Sequence, residues 1–260
     1  MLASMIRKLY LYNGLFITIL TLLLANSINV VSVTREGNSN SAVFVNNTNP
    51  EVSDLVYSIG SKPFNATYPD WTEKWWKWSY AIPWDKNPSY DDTGRYCGEN
   101  QSGPVWFLTL AYNHPVTRIC EIPQNTALLI TLLNSECSYA EFPSLKTEQE
   151  LRECAKRMQD LVVGVNATLN GVTLPNLENY RIQTDLFNFT LPKNNILNLT
   201  SQTTQAVADG NWLFLKPLPA GMHKLVAKGD VNSTSIEIDG NQYDGPVGWN
   251  YTTTYILNVK

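Results

Sequence analysis

Histidine is nearly absent from this chain of 260 residues, which holds only His114 and His223. No C-x-x-C occurs either, so a zinc ribbon or finger is excluded on ligand count and spacing. Charge is scarce: 16% of residues carry one, against roughly a quarter in an average globular protein. With 19 Lys and Arg against 23 Asp and Glu the formal charge is −4, which implies no basic surface for nucleic acid. Gly-x-Ser-x-Gly is missing and neither histidine stands in a supporting motif, so nothing points to Ser-His-Asp or Cys-His hydrolysis. Cys120, His114, His223 and Met222 superficially offer a blue-copper set. It fails on spacing, because Glu121-Ile122-Pro123 and no histidine follow Cys120.

What the chain does hold is apolar and uncharged-polar material. Hydrophobic residues make up 43%, enough for a sizeable core. Polarity comes from 27 Asn, 17 Ser and 23 Thr, a surface chemistry commoner in exported proteins. Arg7 and Lys8 precede an uncharged stretch, Leu9 to Thr34, most apolar from Leu15 to Leu24 and followed by Ala25-Asn26-Ser27. This pattern predicts a signal peptide over 1–27, cleaved after Ser27 or retained as a membrane anchor. The Asn/Ser-rich stretch 28–52 reads as a linker, and 53–260 as one domain without internal repeats.

Two further signals agree with export. Eight Asn-x-Ser/Thr sequons, at Asn46, Asn65, Asn100, Asn166, Asn188, Asn198, Asn232 and Asn250, exceed the roughly 4 that chance supplies at this composition, and mark candidate glycosylation sites. Four cysteines, Cys97, Cys120, Cys137 and Cys154, form an even set that reads as two disulfides with three possible pairings. Nearest-neighbour pairing is the one expected.

Asp70-Trp71-Thr72-Glu73 has capping-box grammar with Asp70 as N-cap, opening a short helix that ends before Pro83. Trp71, Trp75 and Trp78 lie at helical spacing, Trp76 and Tyr80 form an adjacent stripe, and Lys74 and Lys77 face outward. Such a stripe is either an aromatic plug in the core or a platform for sugar rings. A second capping box, Thr147 to Glu150, opens a helix with Leu151, Cys154, Met158 and Leu161 on one side. Cys154 therefore points at the core, which favours a bond to Cys137 and leaves Cys97 to pair with Cys120.

Short β-rich runs make up the remainder: 105–110, 126–133, 161–169, 182–191, 211–216, 223–228 and 252–259. Asn170-Gly171, flanked by residues 165–169 and 172–174, is the strongest hairpin signal. These runs with two helical insertions predict a mainly β fold, an antiparallel β-sandwich of jelly-roll type.

Trp71-x3-Trp75-Trp76-x-Trp78, Ile82-Pro83, Asn87-Pro88, Asp92-Thr93-Gly94, Cys97, Gln101, Gly103-Pro104-Val105-Trp106-Phe107-Leu108 and Arg118-x-Cys120-x-Ile122-Pro123, with Asp209-Gly210-Asn211-Trp212 and Pro217 to His223, form a distinctive series. Over residues 70 to 230 it resembles a family of exported proteins of ammonia-oxidising archaea and bacteria without an established activity. The resemblance implies a compartment and no catalytic residue.

Carboxylates remain as candidate chemistry. Any two of Asp85, Asp91, Asp92, Glu99, Asp209 and Asp244 on one face would serve glycosidase or lyase chemistry. No cofactor is indicated. Asp91-Asp92-Thr93-Gly94 offers oxygen ligands for Ca2+ but lacks the alternation of an EF-hand loop, and an Asx-turn is the plainer reading. His223 reads as a structural hydrogen-bonding residue. The sequence therefore predicts an exported cell-surface binding module for a glycan or another envelope component. Trp71, Trp75, Trp76, Trp78 and Trp84 are its stacking candidates, and Asp85, Asp91, Asp92, Gln101 and Asp209 its polar contacts. A carboxylate-based polysaccharide hydrolase or lyase is the alternative, and a purely structural envelope protein the third reading.

Overall fold

The computed structural model describes residues 52–111, 114–231, 235–238, 241–244 and 249–260; for 52–53, 235–236, 238, 241–244 and 249–250 it describes the backbone alone. The signal or anchor and nearly all of the linker thus lie outside the described residues. The expected plan of mainly β structure with two helices holds.

Helix α1, Tyr68–Ala81, starts earlier than Asp70 predicts. Thr67 is the N-cap, its hydroxyl accepting from the Asp70 backbone N–H while the Asp70 carboxylate accepts from the Thr67 N–H. Pro69 in the first turn costs no hydrogen bond there, and Asp70 at the third position suits the positive end of the helix. The helix stops at Ile82, which Pro83 disfavours as helical. Helix α2, Glu148–Gln159, has the Thr147–Glu150 capping box its sequence predicts.

Twelve strands are described. The central sheet has the order β1 (Val105–Leu108), β3 (Ala127–Ser138), β8 (Gln202–Leu215) and β6 (Arg181–Gln183), with β7 (Phe187–Leu191) on the same edge of β8. The outer sheet runs β2 (Val116–Ile122), β12 (Trp249–Val259), β9 (Gly221–Val231), β4 (Val162–Leu169), β5 (Val172–Thr173). A hairpin of β10 (Ser235–Ile238) and β11 (Asn241–Asp244) stands apart. The expectation of purely antiparallel sheets is corrected. β1 pairs parallel with β3, and β2 parallel with β12. Each chain segment between parallel partners must cross over rather than turn back.

β3 is buried along its whole length, because both of its faces are covered. On one face α1 packs through Trp75 against Trp212, ring centroids 5.2 Å apart, and through Tyr80 to Glu136. On the other, Cys137 is bonded to Cys154 of α2, and Gln159 donates to Leu133 O and Asn211 Oδ1. Gly229 of the outer sheet approaches Leu132 and Leu133 on that same face so closely that a Cβ would collide with them. The central sheet thus lies between α1 and a layer formed by the outer sheet and α2. Asn170 and Gly171 both have positive φ, as the two-residue hairpin between β4 and β5 requires.

The loop from Trp84 to Gln101 is stitched to β1 and β2. Cys97 is bonded to Cys120, the pairing the sequence favours. Gly94 (φ +90°) lies against the Ile119 backbone where no side chain fits, and Ile119 N donates to Thr93 O. The Gln101 amide donates to Phe107 O and accepts from Phe107 N, imitating a neighbouring strand on the exposed edge of β1. Buried Arg118 donates to Asp91 O, Ser89 O, Thr109 O and the Tyr255 hydroxyl. The motif residues Gly94, Cys97, Gln101, Arg118 and Cys120 are therefore scaffolding.

Candidate functional site

The aromatic stripe of α1 is core. Trp71, Trp75, Trp76 and Trp78 are 0–7% exposed, and only the stripe Asp70, Lys74, Lys77 and Ala81 faces water. The rings of Trp71, Trp75 and Trp78 interlock edge-on or tilted with Phe107, Trp212 and Phe214, and that of Trp76 with Trp75 and Tyr80. The indoles of Trp71, Trp75 and Trp78 donate to Pro63 O, Leu108 O and Glu99 O. A sugar platform needs open ring faces, so these four side chains are withdrawn as stacking candidates. The helix sinks almost its whole circumference because α1 packs on the central sheet while the 84–101 loop folds back on it.

Trp84 is different. It is 46% exposed and the one exposed tryptophan among the described side chains. It opens a 3-10 turn, Trp84–Lys86, whose position is fixed from two sides. Buried Asn87 donates to Ser79 O and Ile82 O at the end of α1 and accepts from Ser89 N. Across from it, Trp84 N donates to Asn194 O (2.7 Å) and the Asn194 amide to Asp85 Oδ1 (2.9 Å). The loop carrying Asn194 is in turn held by buried Asn195, which bonds Pro192 O, Leu199 O and Leu199 N. Tyr90 leans on Trp84 at 5.9 Å and 46°. The result is an exposed indole beside a tyrosine ring, flanked by a carboxylate and an amide, on two braced loops. Tyr90 and Asn194 escaped the sequence reading; nothing marks one Asn among 27, and only the fold brings the two segments together.

The other polar candidates do not converge on this patch. Asp91 is an Asx-turn residue: Oδ1 accepts from Thr93 N and its hydroxyl, Oδ2 from Tyr96 N. Burial works to raise its pKa, but these donors and the Arg118 charge outweigh it and hold the carboxyl below the usual range. Asp92 is exposed and 3.1 Å from His114. Gln101 is spent on β1. Asp209 lies on the opposite face of the central sheet in a two-pronged bond to Arg181, at 2.8 and 2.9 Å. Arg181 also binds Asp160, and its pKa is raised, first by Asp209. No three His, Cys, Asp or Glu among the described residues are grouped to hold a metal ion. His223 bridges structurally: Nδ1 is 3.1 Å from the Asn170 amide and Nε2 2.8 Å from Pro219 O.

Beneath α1 lies a carboxylate pair that sequence reasoning missed. Glu136 accepts from the Tyr80 hydroxyl and neighbours Glu141, which accepts from Ser138 Oγ. Both glutamates are buried. Burial, and then the neighbouring Glu141, push the Glu136 pKa well above 4.5. A raised carboxyl pKa stabilises the fold at low pH and loses that contribution as pH climbs through the folded-state value. Stability should therefore decline from about pH 4.5 upward. Glu136→Gln, neutral at every pH and still able to accept from the Tyr80 hydroxyl, should flatten this slope in urea melts between pH 4 and 9. An unchanged slope would show that the pair does not titrate with folding. Asp91, with its lowered pKa, works the other way and protects at acid pH only down to its own titration.

All five sequon asparagines whose side chains are described, Asn65, Asn100, Asn166, Asn188 and Asn198, are exposed. Asn46, Asn232 and the Asn250 side chain fall outside the described residues. The two disulfides indicate a non-reducing environment. No helix among the described residues is long and apolar enough to cross a membrane. Compared with protein-family models, curated proteins and solved structures, the chain matches none.

Proposed function

We propose that this chain is an exported cell-surface binding module that recognises a glycan or another envelope component without catalysis. The observation that carries the reading is the Trp84 patch. An indole 46% exposed, a second ring beside it, and the Asp85 and Asn194 groups close by supply stacking and hydrogen bonding together. Its two loops are braced from below, so little ordering is lost on binding. In this reading the two sheets form a sandwich of jelly-roll kind whose loops carry the site, and the exposed sequons carry glycans. The hydrolase alternative has weaker support, since Asp91 is engaged by two backbone N–H groups and the Thr93 hydroxyl, and Asp209 is held by Arg181 on another face.

The test is affinity electrophoresis of the full chain through gels containing soluble β-glucan, mannan or chitosan. Retardation by one polysaccharide, abolished by Trp84→Ala while the melting temperature shifts by less than about 2 °C, is the expected outcome. Retardation that survives Trp84→Ala, or release of reducing ends from the retained polymer, would overturn it.

A further inference from the structure

Between α1 and the central sheet runs a seam of buried polar atoms without a hydrogen-bond partner among the described residues. On the sheet they are Thr131 Oγ1, both amide atoms of Asn134 and Trp212 Nε1; on the helix, Trp76 Nε1 and Ser79 Oγ. None of these side chains is more than 4% exposed. They share one side of the sheet. Thr131 pairs across with Trp212 and Asn134 with Gly210, and Trp212 and Gly210 are two apart on β8. The register shift at Leu132 brings Thr131 and Asn134, three apart on β3, to the same face. Trp75 against Trp212, and Tyr80 bonded to Glu136 at the far end, fix α1 above them.

One buried polar atom without a partner is costly and uncommon in a native protein. Six in one interface are more than a marginally stable domain sustains. Pairing is not beyond this helix, because Trp71, Trp75 and Trp78 all donate to backbone carbonyls. The seam's own chemistry defines what fits. Indole N–H groups only donate, Asn134 donates and accepts, and the two hydroxyls do both. A guest must accept from Trp76 and Trp212 and donate to Asn134 Oδ1. A cation would meet indole and amide donors, and an anion would sit beside the Glu136–Glu141 pair. A hydroxyl group, which both donates and accepts, suits every one of these atoms, and more than one is needed to satisfy them all.

We propose that the seam between α1 and β3 is a buried binding site for hydroxylic molecules, water or a small polyol. The site is separate from the Trp84 patch and does not depend on that reading. Water and polyol are told apart by NMR of the full chain, reading cross-relaxation at the indole N–H protons without and with glycerol. Trp76 and Trp212 should show cross-peaks to long-lived water, or in the second sample to glycerol carbon-bound protons, while Trp71, Trp75 and Trp78 serve as paired controls. Either partner supports the site. Indoles of Trp76 and Trp212 that show neither overturn it. Thr131→Val gives an independent sign. If Thr131 binds a guest, the folding constant falls roughly fivefold; if the hydroxyl is dry, removing it raises the constant, and the proposal fails.

Discussion

Trp75→Ala should lower the unfolding free energy by about 3–5 kcal/mol, the range for deleting a large buried aromatic ring. Trp75 is fully buried, edge-on to Trp76, Trp78 and Trp212, and its indole donates to Leu108 O. The alanine leaves a cavity where the helix meets the sheet and an unpaired carbonyl at the end of β1. Both penalties act together. Domains of this kind are stable by about 5–15 kcal/mol, so the variant should unfold at markedly lower urea or fail to accumulate. Trp84→Ala is the contrast, a surface change expected to stay within about 0.5 kcal/mol. A Trp75→Ala loss under about 1 kcal/mol would mean that α1 is not packed as described.

Arg118→Met should cost a similar amount, about 3–5 kcal/mol, for a different reason. The methionine keeps an apolar stem but removes the guanidinium that ties the 84–101 loop to β1 and β12. Asp91 O and Ser89 O then lose their side-chain donor in a dry setting, and Thr109 O and the Tyr255 hydroxyl each lose one of their partners. Arg118→Lys keeps the charge but cannot reach several acceptors at once, so it should fall between wild type and methionine. Urea melts of the three proteins with disulfides intact give the order. Equal stability of Arg118→Met and wild type would contradict the stitching role.

Why Arg118 escaped prediction shows where sequence reading runs out. In Val116–Ile122 the inward positions are Val116, Arg118, Cys120 and Ile122, while Ile119 points to solvent at 63% exposure. A charged residue inside and a bulky aliphatic outside hide the period-2 signal on which strand reading depends. The same holds for β3, which continues through Asn134, Ser135 and Glu136. These polar residues read as loop, yet they are buried because layers cover both faces. The α2 cap, the Asn170-Gly171 hairpin and the disulfide pairs were legible, since each is set by local grammar or by helix direction. How deep a helix sinks is not local. The spacing of Trp71, Trp75 and Trp78 fits core and platform alike, and only packing of α1 against the sheet and the 84–101 loop decides between them. Of the stacking candidates the patch retains Trp84 alone, with Asp85 from the polar set; Tyr90 and Asn194 are supplied by the fold.

The most direct test of the central claim, that recognition occurs at Trp84 and not along α1, is acrylamide quenching of tryptophan emission. It compares the wild-type chain with Trp84→Phe, each with and without the polysaccharide that retards the wild type. The account predicts a readily quenched component that is lost in Trp84→Phe and shielded by the polysaccharide only in the wild type. Equal shielding in both proteins would place the contact on other tryptophans and contradict it.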